Sequence, residues 1–401
     1  MPRLRLLLLL AALTMFAPMS LDAYLPAFPE IASQFGTDTG SVQLTMSACL
    51  LGLGLGQVLW GPVSDRFGRK RPLLVGVVVF IVASLLITIA PSMGALVALR
   101  FVQALGGAAG VVIARAAVRD LFSGVQLARA LSLVVTVFAL APVVAPLIGS
   151  AVLLVLPWQW IFVVLAAFGA VCLVGVIVMP ETLKPEHRTD HGFGGAMRQY
   201  GSILADPRFR FAAIVAGLGS AALFTYISAS PAVLIDSYGL SETAFALSFA
   251  GLSLFFALGA QINMRLLKTQ PVIVLLRSNV ALQVVASVAV LVAAIAHVGV
   301  VLFIVPLVIA LMTVAGVNSN GMALALDPFP RGAASAAALV GGLQMAMGAL
   351  FSALLSGLTL PPPEEMGLGM TLASTISLTI VAVALVRGRR RSAVGRDVSS
   401  A

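Results

Sequence analysis

The stretch Gly61-Pro62-Val63-Ser64-Asp65-Arg66-Phe67-Gly68-Arg69-Lys70-Arg71 stands between two long apolar runs, 41–62 and 73–91. A helix needs roughly 20 apolar residues to cross the hydrocarbon core of a bilayer, and each flanking run supplies about that many. A short, strongly charged turn between two such runs reads as a pair of membrane helices joined at the water interface. The same alternation extends in both directions. Apolar runs fall at 6–29, 41–62, 73–91, 94–114, 129–156 and 159–179, then at 211–235, 243–264, 272–296, 298–320, 333–358 and 367–386, which makes twelve candidate spans.

Composition agrees. Of 401 residues, 60% are hydrophobic and only 10% are charged, with a mean hydropathy of +1.08. Soluble domains carry about 25% charged residues, so this chain cannot cover a water-facing surface. A β-barrel is excluded by pattern, because barrel strands alternate apolar and polar residues over about 10 positions. The first run has a basic start at Arg3 and Arg5, but no small-residue cleavage site ends it, so it is read as a span rather than a signal peptide. The span 272–296 is the weakest of the twelve because Arg277 lies near its start; a long Arg side chain there can reach the interface.

The net charge of +9 is distributed by position. With the N-terminus on the cytoplasmic side, Arg66–Arg71, Arg115–Arg129, Lys184–Arg210, Arg265–Arg277, Arg331 and Arg387–Arg396 all fall on or near one side. The opposite loops hold Glu30, Asp38, Asp236, Glu242, Glu364 and Glu365, with no Lys or Arg. That asymmetry is the positive-inside pattern, and it predicts both termini in the cytoplasm and a multi-pass protein of the inner (plasma) membrane. Placed this way, the basic residues read as topology and not as a nucleic-acid surface. Cys49 and Cys172 both sit in apolar runs and read as buried hydrophobes, and His187, His191 and His297 are too scattered for a metal cluster. No nucleophile–base set or phosphate loop appears, so an enzyme is not expected. No cofactor or metal is expected either.

The longest polar stretch, Glu181–Arg210, leaves six spans on each side. The expected division is an N-terminal half at 1–180, a cytoplasmic loop at 181–210 read as a solvated linker, a C-terminal half at 211–387 and a tail at 388–401. Paired repeats of this kind place a binding site near midplane between the halves.

Four segments carry more than topology. In the quoted turn, Gly61 and Gly68 allow close helix approach and a tight turn, and Asp65 can pair with an Arg or accept from a helix N-terminus. Such a charge latch can hold the halves together in one state and release them in the other. In the fourth run, Arg100, Gln103, Gly107 and Gly110 share one helical face. An Arg in hydrocarbon costs at least about 2.5–3.5 kcal/mol, so Arg100 should face a cavity or a partner. In the first run, Met15, Pro18, Asp22, Pro26 and Pro29 recur at spacings of three and four and form one stripe. In the fifth, Pro142, Pro146 and Gly149 stand among small residues.

These segments resemble a known family. The turn at 61–71 matches the G-x-x-x-D-R-x-G-R-[RK] signature of the major facilitator superfamily, with Gly61, Asp65, Arg66, Gly68 and Arg69 on its defined positions. The stretch from Arg100 to Gly110 resembles the superfamily's R-x-x-Q-G motif, with Ala104 where glycine is usual. Asp22, Leu25, Pro26 and Pro29 look like the first-helix D-x-x-L-P-x-x-P motif of drug/proton antiporters. Pro142, Pro146 and Gly149 resemble the antiporter motif G-P-x-x-G-G, with Ala145 and Ser150 replacing two glycines. Together with Trp158–Phe162 and Pro180–Leu183, the pattern is similar to the Bcr/CflA drug-resistance transporters.

That resemblance implies an all-α membrane fold of 12 helices in two six-helix halves, and multidrug efflux by alternating access in exchange for protons. It implies hydrophobic or cationic small molecules as substrates, a monomer, and no energy source beyond the proton gradient. A coupling site needs a carboxylate set among apolar residues, able to load and unload a proton near neutral pH. Asp22 is the only Asp or Glu well inside an apolar run, so it is the expected proton carrier. Met19, Tyr24, Tyr226 and Gln344, with Gln57, Gln103 and Asn318, are the candidates to line the substrate cavity, and each of them except Met19 serves equally well in a helix–helix hydrogen bond. Two further readings stay open: uptake or export of a small metabolite by the same fold, and a membrane enzyme or receptor.

Overall fold

The computed structural model describes residues 3–188, 193–330 and 332–399, with side chains described only to Val386 and not at Arg3, His187 or Phe193. Arg331, His191 and the side chains of Arg387–Arg396 therefore lie outside the described residues. Twelve helices among the described residues are long and apolar enough to cross a membrane. In chain order they are α1 (Leu4–Phe35), α2 (Thr39–Phe67), α3 (Lys70–Ile87), α4 (Met93–Leu121), α5 (Gly124–Leu153) and α6 (Gln159–Val178). The second set is α7 (Pro207–Ser237), α8 (Glu242–Leu266), α9 (Val272–Ile295), α10 (Val300–Leu326), α11 (Ala333–Leu355) and α12 (Pro362–Val386). Helix α9 runs unbroken through Arg277.

The two sets of six pair alike. In the first, α4 packs on α1, α2 and α3, α3 on α6, and α1 on α5. In the second, α10 packs on α7, α8 and α9, α9 on α12, and α7 on α11. Repetition of a pairing pattern along one chain is the structural mark of an internal repeat. Small residues make the close crossings. A Cβ on Gly52 would meet the carbonyl of Phe101, one on Gly76 the Cβ of Ala109, and one on Gly110 the carbonyl of Leu13. Close backbone approach of this kind is what drives helix association where lipid removes the hydrophobic incentive.

The halves meet chiefly along α2 against α11 and α5 against α8. Contact is tight at the end carrying Asp38 and Glu242, here the acidic end. There Gly40 lies against the Ser356 carbonyl and Ser150 donates to Thr243 at 3.3 Å. Toward the opposite, basic end the helices part, and a cavity of about 1330 Å³ opens between the halves.

Helix α1 is not straight. It divides into Arg3–Thr14, Phe16–Asp22, a tight turn at Leu25–Ala27 and Phe28–Phe35. Pro18, Pro26 and Pro29 lack the N–H that a continuous helix uses, so the ladder breaks at each. The expected stripe of Met15, Pro18, Asp22, Pro26 and Pro29 does not survive these breaks as one face: Pro18 and Asp22 line the cavity, and the other three do not.

The segment 181–210 also differs from a solvated linker. It contains a helix, Phe193–Ala205, that touches α2 of the first half and α7 and α11 of the second.

Candidate transport site between the halves

The cavity narrows to a blind end formed by Ala17, Pro18, Leu21 and Asp22 of α1, with Phe224 and Ile227 of α7 across from them. Asp22 is 3% exposed, and its Oδ1 accepts no hydrogen bond. A buried carboxylate without a donor is an open valence: a proton or a cationic group supplies the missing partner. Around the mid-depth of the cavity stand neutral polar groups, Gln57 of α2, Ser220 of α7, Asn318 of α10 and Gln344 of α11, set among apolar walls. An apolar hollow with a few convergent polar groups is the usual make-up of a small-molecule site.

Of the seven cavity candidates named from sequence, Gln57, Asn318 and Gln344 line the cavity, and Met19, Tyr24, Gln103 and Tyr226 do not. The break after Asp22 turns Tyr24 away into the first half, where its hydroxyl pairs with Thr45 at 2.9 Å. Met19 is buried within the same half. Tyr226 stacks on Phe249 of α8, with ring centroids 5.6 Å apart, and its hydroxyl is buried without a partner.

Arg100 is fully buried and solves the problem of a charge in hydrocarbon with partners from α1 and its own helix. Its guanidinium donates to the Ser20 carbonyl at 2.6 Å and to Gln103, and lies 4.1 Å above the Tyr24 ring and 5.5 Å from that of Phe162. Ser20 belongs to the last turn of Phe16–Asp22, where carbonyls lack helical donors and a cation is welcome. Gln103 passes the network on to Ser84 of α3 at 2.7 Å. Arg100 makes no ion pair with Asp22; it fixes the backbone that carries Asp22.

Helix α5 fixes the same backbone from the other side. A Cβ on Gly149 would strike the carbonyl oxygen of Ala23, so only glycine permits this approach. Pro146 is buried one turn away, and Pro142 lines the cavity.

At the basic end, Arg69 is the hub of the signature turn. It pairs with Asp65 at 2.5 Å and with Asp120 of α4 at 2.9 Å, and donates to Ser64 at 2.9 Å. Gly68 adopts φ +85°, and a Cβ there would collide with the Glu181 carboxylate. That carboxylate accepts from the backbone of Arg69 at 2.8 Å, Lys70 at 3.2 Å, Thr182 at 2.9 Å and Leu183 at 3.0 Å, and so caps the start of α3. Burial pushes Glu181 up, but those four amides outweigh it and hold the carboxyl below the usual carboxylate range. All these residues lie in α2, α4, the turn into α3, the start of α3 and the chain just after α6. In this conformation the charge latch therefore ties helices within the first half rather than joining the halves. Arg66 stands apart, over its neighbour Phe67. Asp120 and Glu181 were not found from sequence as partners of Arg69; Glu181 stood there only within Pro180–Leu183 and at the head of the polar stretch.

Twelve helices, a repeated six-helix pairing, a cavity between the halves and the signature network at its mouth invite comparison with known proteins. The sequence profile of the Major Facilitator Superfamily matches residues 10–353. The chain belongs to the major facilitator superfamily. It is 36% identical over 356 residues to an uncharacterized MFS-type transporter of Bacillus subtilis, YdgK, covering 88% of each chain. It is 30% identical over 394 residues to the bicyclomycin resistance protein homolog of Haemophilus influenzae, covering 97% of this chain and 98% of the relative. Among solved structures, the crystal structure of a D-xylose-proton symporter superposes with a TM-score of 0.74 at 12% identity, over 93% of this chain and 97% of that one. At that identity the likeness is one of fold. This member of the superfamily is thus a multi-pass membrane transporter of small molecules and not an enzyme, and its relatives include drug-resistance proteins.

Proposed function

We propose that this major facilitator protein exports hydrophobic or cationic drugs, or metabolites of similar chemistry, in exchange for protons carried by Asp22. The observation that carries the reading is Asp22 itself: a carboxylate with an unpaired buried oxygen at the blind end of a cavity open at one end. The basic end faces the cytoplasm of a bacterial inner membrane, so the conformation seen is the one that admits substrate from the cell interior. Substrate enters past Arg69 and the linker helix and displaces a proton from Asp22. The halves then close at the basic end and part at the acidic end. Outside, substrate leaves and Asp22 reloads. The protein works as a monomer, because each chain holds a complete cavity.

Net charge moving inward down the membrane potential releases about 2.3 kcal/mol per charge per 100 mV, enough to drive export of a neutral substrate against a gradient; a monovalent cation exchanged one for one with a proton moves no net charge and is driven by the pH difference. The neutral polar groups at mid-depth, Gln57, Ser220, Asn318 and Gln344, accept many ligands without demanding one shape, which suits a broad substrate range. The test is expression in a host lacking its own drug pumps, with a panel of antibiotics and cationic dyes. The reading expects lower accumulation of several compounds, restored to control levels by an uncoupler. Accumulation unaffected by expression across the panel, or export indifferent to the uncoupler, contradicts it.

A further inference from the structure

The linker helix Phe193–Ala205 lies across the mouth of the cavity, with Gly195, Ala196, Arg198, Gln199, Tyr200 and Ser202 on the lining. Ala196, Tyr200 and Ile203, spaced by four and three, fall on one face of it. Ile203 is 2% exposed and packs with Phe209 and Ala212 of α7 and Ala336 and Val340 of α11, all in the second half. Tyr200 is 5% exposed and reaches the first half: its hydroxyl donates to the Val58 carbonyl of α2 at 3.1 Å.

That carbonyl is available for a chemical reason. In a continuous helix it accepts from the residue four positions on, and here that residue is Pro62, which has no N–H. The contact does not depend on glycine at Gly61, where a Cβ would stand 3.9 Å from the Tyr200 oxygen, so the close helix approach expected of Gly61 is not found here. Burial, and then the negative charge of Asp65, push the Tyr200 phenol up to about 12, so it remains a donor at physiological pH. The helix touches α2 of the first half and α7 and α11 of the second at the cavity mouth. Drawing the halves together at that mouth must displace it.

We propose that Tyr200 is a positioning residue of the transport cycle: by supplying the hydrogen bond that Pro62 denies to Val58, it docks the linker helix of the second half on α2 and favours the conformation open at the basic end. This rests on the alternating-access reading.

The experiment measures distances between paired spin labels at the exposed positions Arg71 and Lys268 on the basic end, in purified full-length protein. Tyr200→Phe keeps the ring and removes the hydroxyl. It is expected to lower the ratio of open to closed molecules about three- to tenfold, the worth of one hydrogen bond. In Pro62→Ala, the restored N–H also serves Val58 inside the helix and competes with the phenol for the same carbonyl, so adding Tyr200→Phe should change the ratio less than it does with Pro62 in place. A wild type that switches with pH or drug while Tyr200→Phe matches it overturns this proposal alone, as do effects of the two substitutions that simply add. A wild type fixed at one distance under every pH and drug condition overturns the alternating-access reading and this proposal with it.

Discussion

Arg100 on α4 donates a 2.6 Å hydrogen bond to the main-chain carbonyl of Ser20, two residues before the carboxylate at the blind end of the cavity. The Arg100 charge is thus used on backbone, an amide and two ring faces, not on an opposing acid. Lysine keeps the charge but loses the planar fork that reaches Ser20 and Gln103 together. Arg100→Lys should cost about 2 kcal/mol of this arrangement, the worth of one hydrogen bond to a charged group, and lower transport roughly tenfold or more. Arg100→Ala should be no more than modestly worse. Vesicle transport assays on the two variants, at matched expression, decide it: full activity in Arg100→Lys shows that charge alone matters.

Gly149 guards the other side of the same break. Gly149→Ala drives a methyl group into the Ala23 carbonyl and should destabilise the protein by about 1–3 kcal/mol, the usual range for overpacking. Gly251→Ala on α8, where a Cβ meets nothing within 4 Å, should be neutral or slightly stabilising, as expected for alanine in a helix. Thermal unfolding of both in detergent gives the comparison, and equal melting temperatures contradict the packing argument.

Within the signature network, Asp65 and Asp120 should behave differently. The Asp65 side chain is 46% exposed and that of Asp120 17%. Asp65→Asn should cost little stability, within the about 0.2–1 kcal/mol of an exposed pair, while still lowering transport. Asp120→Asn keeps one acceptor oxygen but removes the charge that draws both Arg69 and Thr182, and should lower the melting temperature more. The reverse order of melting temperatures would show that Asp65, not Asp120, holds Arg69 in place.

Glu181 gives a pH signature. Its folded-state carboxyl lies below the ordinary value of 4.5 because four amides bond the charged form. The stability it contributes is therefore fully present above that value and is lost as pH falls through the lower, folded one. Wild-type melting temperature should decline on acidification below pH 4.5. Glu181→Gln, already without the charge, should start lower and lose less over that window. Parallel curves for the two proteins contradict the capping role.

The spans were legible because a run of about 20 apolar residues has few other uses. The helices nevertheless outrun the apolar stretches at the basic end: α2 continues from residue 62 to Phe67 and α4 from residue 114 to Leu121. Hydropathy measures lipid contact, and these turns project into water, where Asp65 and Asp120 do their pairing. Asp22 and Arg100 were legible because charge inside hydrocarbon demands a reason. Tyr24 and Tyr226 were misplaced because their direction depends on breaks in α1 and on packing against Phe249, and a single helical face does not predict either. The docked linker helix was hidden in a polar segment whose composition resembles solvated chain; its signal, Ala196, Tyr200 and Ile203 at spacings of four and three, spans barely two turns.

The central claim is that Asp22 carries the coupling proton, and drug-induced proton release tests it most directly. Purified wild-type protein in weakly buffered detergent solution, titrated with a transported cationic drug, should release protons in proportion to the drug bound. Asp22→Asn has the shape of the protonated acid and nothing to release. It should bind the cationic drug about ten- to a hundredfold more weakly, since a lost partner of a charged group is worth about 1.5–3 kcal/mol, and at saturating drug it should release no protons. Wild-type-like proton release from Asp22→Asn would contradict the account and move the coupling site elsewhere in the protein.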